Sequence, residues 1–369
     1  MRPAFDNPRQ AAAFALLLLF LLAAPWLAGK KLLPPREQAY ASAGWDWGAY
    51  PWIQKQIFEE TNDIDIAFIG SSRMGFDIDT PYVQEKLDER LGRKTVVRSL
   101  CWLGAGFDTV YFVTKDLLEH RHVKTLVFYD EMVGLEANPE APCWFRYGDD
   151  GGLLAGLPFQ DRGIYYFAAV IGMPENLLEL ATPHRAENTN HPPPNHYETF
   201  FKAVNPELRL GSAAALHSFV DLDSDTPTNV SAYSPSGRAH PADVIVYDDA
   251  TKSNFVFSTR SFPAFQLYFA RQFGLLAQAH GTHLVLLHLP LYGDRTSPKL
   301  EESKFWPDFL KAPVSMIGIP ADRLFAGFSE VETERLYCDT LHLDQSGQKY
   351  FTSLITPALL EAYEKPTNH

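Results

Sequence analysis

Residues 63–80 read DIDIAFIGSSRMGFDIDT. The first eight form a short apolar run closed by a glycine, the pattern of a buried strand. Working downstream, residues 80–91 predict a helix. Pro81 suits its first turn, and Val83, Leu87 and Leu91 recur at a spacing of four. TVVRSL (95–100) predicts a second strand. Residues 107–121 predict an amphipathic helix with Phe107, Val110, Tyr111, Thr114, Leu117 and Leu118 on one face. TLVFY (125–129) predicts a third strand. Strands alternating with helices through short links imply right-handed crossovers and a parallel sheet.

The alternation stops after residue 134 and resumes at 261. Residues 261–280 predict a long helix, HLVLLHL (283–289) a strand, and 345–364 a C-terminal helix. A short strand is expected around 322–326. The fold class is therefore α/β, a doubly wound parallel sheet. The stretch between is rich in Pro, Gly, Asn and aromatics, with a proline run at 192–194 and a helix expected near 161–181. It divides the chain into an α/β domain (37–135 and 259–369) and an insertion (136–258). The insertion reads equally as loops covering the core or as a lid that binds substrate.

At 369 residues, with 46% hydrophobic and 21% charged side chains, the chain is globular and not disordered as a whole. Lys plus Arg is 32 and Asp plus Glu 45, so the formal charge is 32 − 45 = −13. An acidic chain without a basic stripe argues against non-specific nucleic-acid binding. Three cysteines, Cys101, Cys143 and Cys338, cannot build a disulfide scaffold and lack zinc-ligand spacing.

Residues 11–28, AAAFALLLLFLLAAPWLA, are uniformly apolar. At about 1.5 Å per residue they reach roughly 27 Å as a helix, the short end of a membrane span. Residues 1–36 are expected to form a single-pass membrane anchor. The alternative is a cleaved signal peptide, which the Lys30-Lys31 pair fits poorly. Arg2 and Arg9 on one side balance Lys30, Lys31 and Arg36 on the other, so charge does not orient the span.

In an open parallel sheet, ligands gather beyond the carboxyl ends of the strands. Four segments fall there: Gly70-Ser71-Ser72-Arg73, Leu103-Gly104-Ala105-Gly106, Asp130-Glu131, and Asp339-Thr340-Leu341-His342 just before the last helix. A hydroxyl nucleophile needs a base, and the base an orienting acid. Ser72, His342 and Asp339 supply the three types. Each signal is short, and Gly-Ser-Ser after a strand also serves as a turn or helix cap.

With FIGSSRMGFDID, SLCWLGAGFDT, LVFYDE and YCDTLHLD in hand, the chain resembles the SGNH (GDSL-like) hydrolase superfamily. Its members are serine esterases and acyltransferases on a flavodoxin-like sheet. With an N-terminal anchor, the chain is similar to the membrane-anchored branch that includes alginate O-acetyltransferases and D-alanyl transfer proteins. The resemblance covers roughly 62–135 and 261–362 and leaves the insertion unexplained. It implies Ser72 as nucleophile with Ser71 as the alternative, His342 as base, and Asp339 as its partner. It also implies that the N–H groups of Gly104 and Ser72 receive the oxyanion. It further implies an ester or acylated-glycan substrate and a membrane-embedded acyltransferase partner. The main domain would be periplasmic or extracellular, and no cofactor or metal is expected. Two positions depart from the family pattern. Ser99 stands where the second-block asparagine would be, and Asp130 stands where an asparagine donor to the oxyanion would be. A carboxylate aimed at a developing oxyanion would repel it, and losing one such donor typically costs ~2.7–4 kcal/mol of barrier. Asp130 must therefore point elsewhere or be protonated, or the reaction is slower or of another kind.

Other features read blandly. His280, His283 and His288 are expected as core or rim histidines, since a strand would turn His283 and His288 to opposite sides. His184, His191 and His196 lie in the proline-rich loop. Trp144, Phe145, Tyr165, Tyr166 and Phe167 read either as aromatic core or as a sugar-stacking surface. There is no Walker loop, no GxGxxG after a strand and no internal repeat.

Overall fold

The computed structural model describes residues 7–32, 36–37, 40, 53–102, 106–130, 151–163, 165, 245–247, 264–296, 305–337 and 341–365. Helix α1 (Pro8–Leu32) contains the apolar stretch, and Phe14 and Leu16 to Phe20 are exposed on it. Among the described residues no helix is long and apolar enough to cross a membrane, so the span expected over 11–28 rests on the sequence alone.

The sheet is built from β1 (Ile64–Ser71), β2 (Val97–Trp102), β3 (Val123–Tyr129), β4 (Ile245–Tyr247), β5 (His283–Leu287) and β6 (Val314–Gly318). Their order across the sheet is β2-β1-β3-β5-β6-β4. Five strands are parallel, and only β4 runs antiparallel, against β6. The five-strand parallel part is consistent with a flavodoxin-like fold. Helices α2 (Ser72–Asp77) and α3 (Thr80–Leu91) follow β1, and α4 (Phe107–His120) follows β2. The short α5 (Gly151–Leu154) comes next, and α6 (Ala264–Ala279) precedes β5. Then come α7 (Phe305–Leu310), α8 (Ala321–Leu324), α9 (Glu330–Glu334) and α10 (Gln345–Glu364).

Every residue of β1 is buried, which is why its sequence reads as a nearly continuous apolar run instead of alternating. Helix α4 departs from the one-faced expectation. Its Phe112, Val113 and Asp116 are as buried as Phe107 and Val110, because Phe269 of α6 packs against both Tyr111 and Phe112 at 5.8 Å between ring centroids. Asp108, at the start of α4, is buried and accepts hydrogen bonds from Tyr165 (2.9 Å) and Gln266 (3.2 Å). Tyr165 is thus a core residue, not part of a sugar-stacking surface. The other aromatics of that group lie outside the described residues.

One expectation is corrected. No strand forms at 322–326. Pro320 caps the helical turn α8 there, and the strand is Val314–Gly318 instead. The stretch between Pro313 and Pro320 is only six residues, VSMIGI, broken by Ser315 and Gly318, and carries too little periodicity to be told from a loop or a helix turn. Residues 245–247, within the 136–258 stretch, extend the sheet as its edge strand. The expected helix near 161–181 lies almost wholly outside the described residues.

The sheet order reverses between β1 and β3. The crossover after β1 leads outward to β2, and the next returns past β1 to β3, from which the sheet continues to β5 and β6. The crevice at such a reversal, beyond the strand carboxyl ends, is where ligands settle in sheets of this kind. Parallel pairing aligns what stands there. Phe68 pairs with Val127 and Tyr129 with Leu287. Extending both registers past the strand ends brings Ser71, Asp130 and His288 level across three neighbouring strands.

Candidate active site

Ser71 and Ser72 occupy the switch from β1 to α2. Ser71 is the N-cap of α2, with extended backbone, and its hydroxyl accepts a hydrogen bond from the Arg73 N–H at 3.3 Å. That hydroxyl also makes a short hydrogen bond with the Tyr129 hydroxyl, and Ser71 is buried. Ser72, one residue on, is only half-buried. Its Oγ lies 2.9 Å from Nε2 of His342. Ser72, not Ser71, therefore presents a hydroxyl that is both accessible and bonded to a potential base.

The sharp turn needs Gly70. A Cβ on Gly70 would stand 2.8 Å from the Tyr129 ring, and the residue has φ +156°. Glycine lets Tyr129 lie directly against the strand end and reach Ser71.

His342 arrives on the loop before α10. An isolated bridge between Tyr337 and Leu343 closes that loop, and the Asp344 N–H donates to the Leu336 carbonyl at 2.8 Å. Asp344 then caps α10 by accepting from the Gly347 N–H at 2.7 Å. A Cβ on Gly347 would come within 2.1 Å of the Leu336 carbonyl oxygen, so the close approach of α10 to the loop requires glycine there. The His342 ring is buried edge-on against Phe76, 5.3 Å between centroids. Tyr337 donates to the Pro290 carbonyl at 3.2 Å, which ties the histidine loop to the exit of β5.

Asp130 is fully buried and does not stand free beside Ser72. Its Oδ2 lies 2.8 Å from Nδ1 of His288, and Asp294 approaches the other imidazole nitrogen at 3.6 Å. Burial opposes protonation of His288, but the Asp130 and Asp294 carboxylates outweigh it and push the imidazole up to about 10. His288 is thus a cation at neutral pH that balances Asp130. Asp294 is held below its usual value: burial raises it, but the His288 imidazolium and the Leu291 N–H lower it more. The bland reading of His288 misses this pairing. The residue lies just past β5, where strand alternation no longer sets its direction. His283, on the strand, bonds Ser315 at 3.0 Å.

The structure brings together Ser71, Ser72, His342 and, one strand over, Asp130. Gly104 and Asp339 lie outside the described residues, as do Cys143, Cys338 and the three histidines of the proline-rich loop. Ser99 is buried in β2. Cys101 is also buried there, and burial pushes its thiol up to about 12, so it carries no thiolate chemistry. Among the described residues no group of three His, Cys, Asp or Glu could hold a metal ion.

Chemically, a half-buried serine hydroxyl bonded to an imidazole nitrogen at the ligand-binding edge of a parallel sheet can attack an electrophilic carbonyl. A search of protein-family descriptions and a search of curated proteins return no match to this chain.

Proposed function

We propose that the protein is an SGNH-like serine esterase or O-acyltransferase, anchored in the cell membrane, acting on an envelope polysaccharide or a similar ester. The carrying observation is the 2.9 Å contact between Ser72 Oγ and His342 Nε2 at the sheet's topological switch. With the other ring nitrogen protonated, Nε2 accepts the Ser72 proton as Oγ adds to the ester carbonyl. The resulting imidazolium returns that proton to the departing alkoxide, leaving an acyl-serine. A water or sugar hydroxyl then gives its proton to His342 and attacks the acyl carbon, and as the bond from that carbon to Oγ breaks, the imidazolium returns the proton to Ser72. Asp339 as orienting acid, and the Gly104 and Ser72 N–H groups as oxyanion donors, are carried over from the family resemblance. The choice of a polysaccharide acceptor and of a membrane-embedded acyl-supplying partner rests on the same analogy.

Placing the anchor in the membrane draws on the apolar run 11–28. The alternative function is a non-catalytic envelope-assembly scaffold on the same fold. Asp130, in the place of an oxyanion donor, is the feature that favours it.

The test is covalent labelling of the full chain in detergent with a serine-directed fluorophosphonate, mapped by peptide mass. The full chain matters because Arg36, just after α1, is ion-paired to Asp116. Labelling confined to Ser72 and lost in Ser72→Ala and His342→Ala supports catalysis. Folded wild-type protein that takes no label returns the scaffold reading. Flotation of the chain with liposomes, lost on deleting residues 7–32, tests the anchor separately.

A further inference from the structure

We propose that Arg73 and Asp77 are positioning residues that hold the His342 backbone from both sides and so register the base against Ser72. This rests on the reading of Ser72 and His342 as nucleophile and base. The two residues are four apart on α2 and so share one face of the helix that begins at Ser72. The Arg73 Nε donates to the carbonyl of Leu341 at 3.2 Å, immediately before His342. The Asp77 Oδ1 accepts from the N–H of Leu343 at 2.8 Å, immediately after it. Phe76, from the same helix, packs on the imidazole ring. Arg73 and Asp77 are both buried.

The clamp is anchored at its far side too. Arg73 Nη2 donates to the Leu289 carbonyl at 2.7 Å, and its guanidinium lies over the Tyr129 ring at 5.6 Å. One planar fork thus joins the nucleophile turn, the exit of β5 and the histidine loop. Lysine cannot reproduce that geometry, because its single ammonium offers no fixed pair of donor directions. Asparagine at 77 can still accept the Leu343 N–H through its amide oxygen, whereas alanine cannot. A misplacement of about 1 Å between reacting groups can cost ~100-fold in rate, so the clamp acts on the chemical step more than on binding.

The experiment measures fluorophosphonate labelling against probe concentration for full-length wild type, R73K, D77A and D77N. ¹⁵N NMR of the His342 ring is recorded on the same samples. The expected result is a limiting labelling rate reduced about 10–100-fold in R73K and D77A. The probe concentration for half-maximal rate changes little, and D77N recovers most of the loss. The His342 Nε2 shift moves towards that of a free imidazole in R73K and D77A and returns in D77N. Two results overturn the proposal. One is folded R73K and D77A proteins with wild-type rate and wild-type ring shift. The other is a D77N loss equal to that of D77A, which assigns the effect to charge and not to the hydrogen bond. If D77A does not fold, R73K and D77N decide by the same criteria. If wild type takes no label, the functional reading fails, and the NMR shifts alone still decide whether the clamp positions the ring.

Discussion

The Ser72 hydroxyl oxygen lies 2.9 Å from Nε2 of His342, although 270 residues separate them in the chain. Both sit at the carboxyl edge of the sheet. Ser72 stands at the first turn of α2, and His342 on the loop that α10 pins through Asp344 and Gly347. A general base in this position contributes about 10²–10⁴-fold to a proton-transfer step. Replacing His342 by Gln is therefore expected to slow Ser72 labelling by about that factor. The label-rate time course checks it, with thermal melting as the control that the variant is folded.

His288 provides a pH-dependent stability. Its folded value is raised to about 10 by Asp130 and Asp294 against the opposing effect of burial, while an unfolded histidine titrates near 6.5. For a raised value the stabilisation is complete below the unfolded pKa and is lost as pH climbs to the folded one. Stability is thus expected to fall between about pH 6.5 and 10, by a few kcal/mol. Urea unfolding across that range checks it. The same decline should be absent in His288→Gln, which is itself less stable by about 3–5 kcal/mol because Asp130 is left buried without its cation.

Gly70→Ala should disturb the Ser71-Ser72 turn specifically. The added Cβ meets the Tyr129 ring at 2.8 Å, so the ring must move away from Ser71, whose hydroxyl it bonds. An overpacked core position costs about 1–3 kcal/mol. The expected outcome is a lower melting temperature together with slower Ser72 labelling, read on the same sample.

Asp116 ties the segment after α1 to the α/β domain. It is buried, accepts from Arg36 Nε at 2.8 Å and from the Tyr40 hydroxyl at 2.8 Å. Tyr40→Phe removes one hydrogen bond to a charged group, expected to cost about 1.5–3 kcal/mol. Because Tyr40 packs edge-on against Phe58 at 5.7 Å, the aromatic contact survives and the loss isolates the hydroxyl. Denaturant unfolding measures it, and faster proteolysis around residue 40 should accompany it.

Part of the candidate site is legible in the sequence. The Gly-Ser-Ser-Arg turn could be placed because a buried strand announces itself as an apolar run and its end as a glycine. The histidine could be placed because an Asp-x-x-His pair precedes an apolar helix. Which serine meets His342 is less legible. Ser71 and Ser72 are adjacent and chemically alike, and only burial and the direction of each hydroxyl separate them. Arg73 and Asp77 stood in plain view inside the same block, but nothing local says that a helix face will meet the backbone on either side of His342. The short strand Val314–Gly318 is not legible in the sequence, because a six-residue stretch between prolines, broken by Ser315 and Gly318, has no period to detect.

The sequence by itself determined the elements whose causes are local. Residues 80–91 form a helix where the proline position and the apolar spacing of four say they should, and 345–364 does the same behind an aspartate cap. The parallel α/β class follows from their alternation with apolar strands. Only the tertiary structure decided which ends meet. Asp130 and His288 are 158 residues apart and touch because β3 and β5 are neighbours in one particular parallel register. That register is set by packing across the whole sheet, and no pattern within either strand encodes it. A carboxylate that seemed set to oppose an oxyanion is instead bonded to a buried imidazolium one strand away.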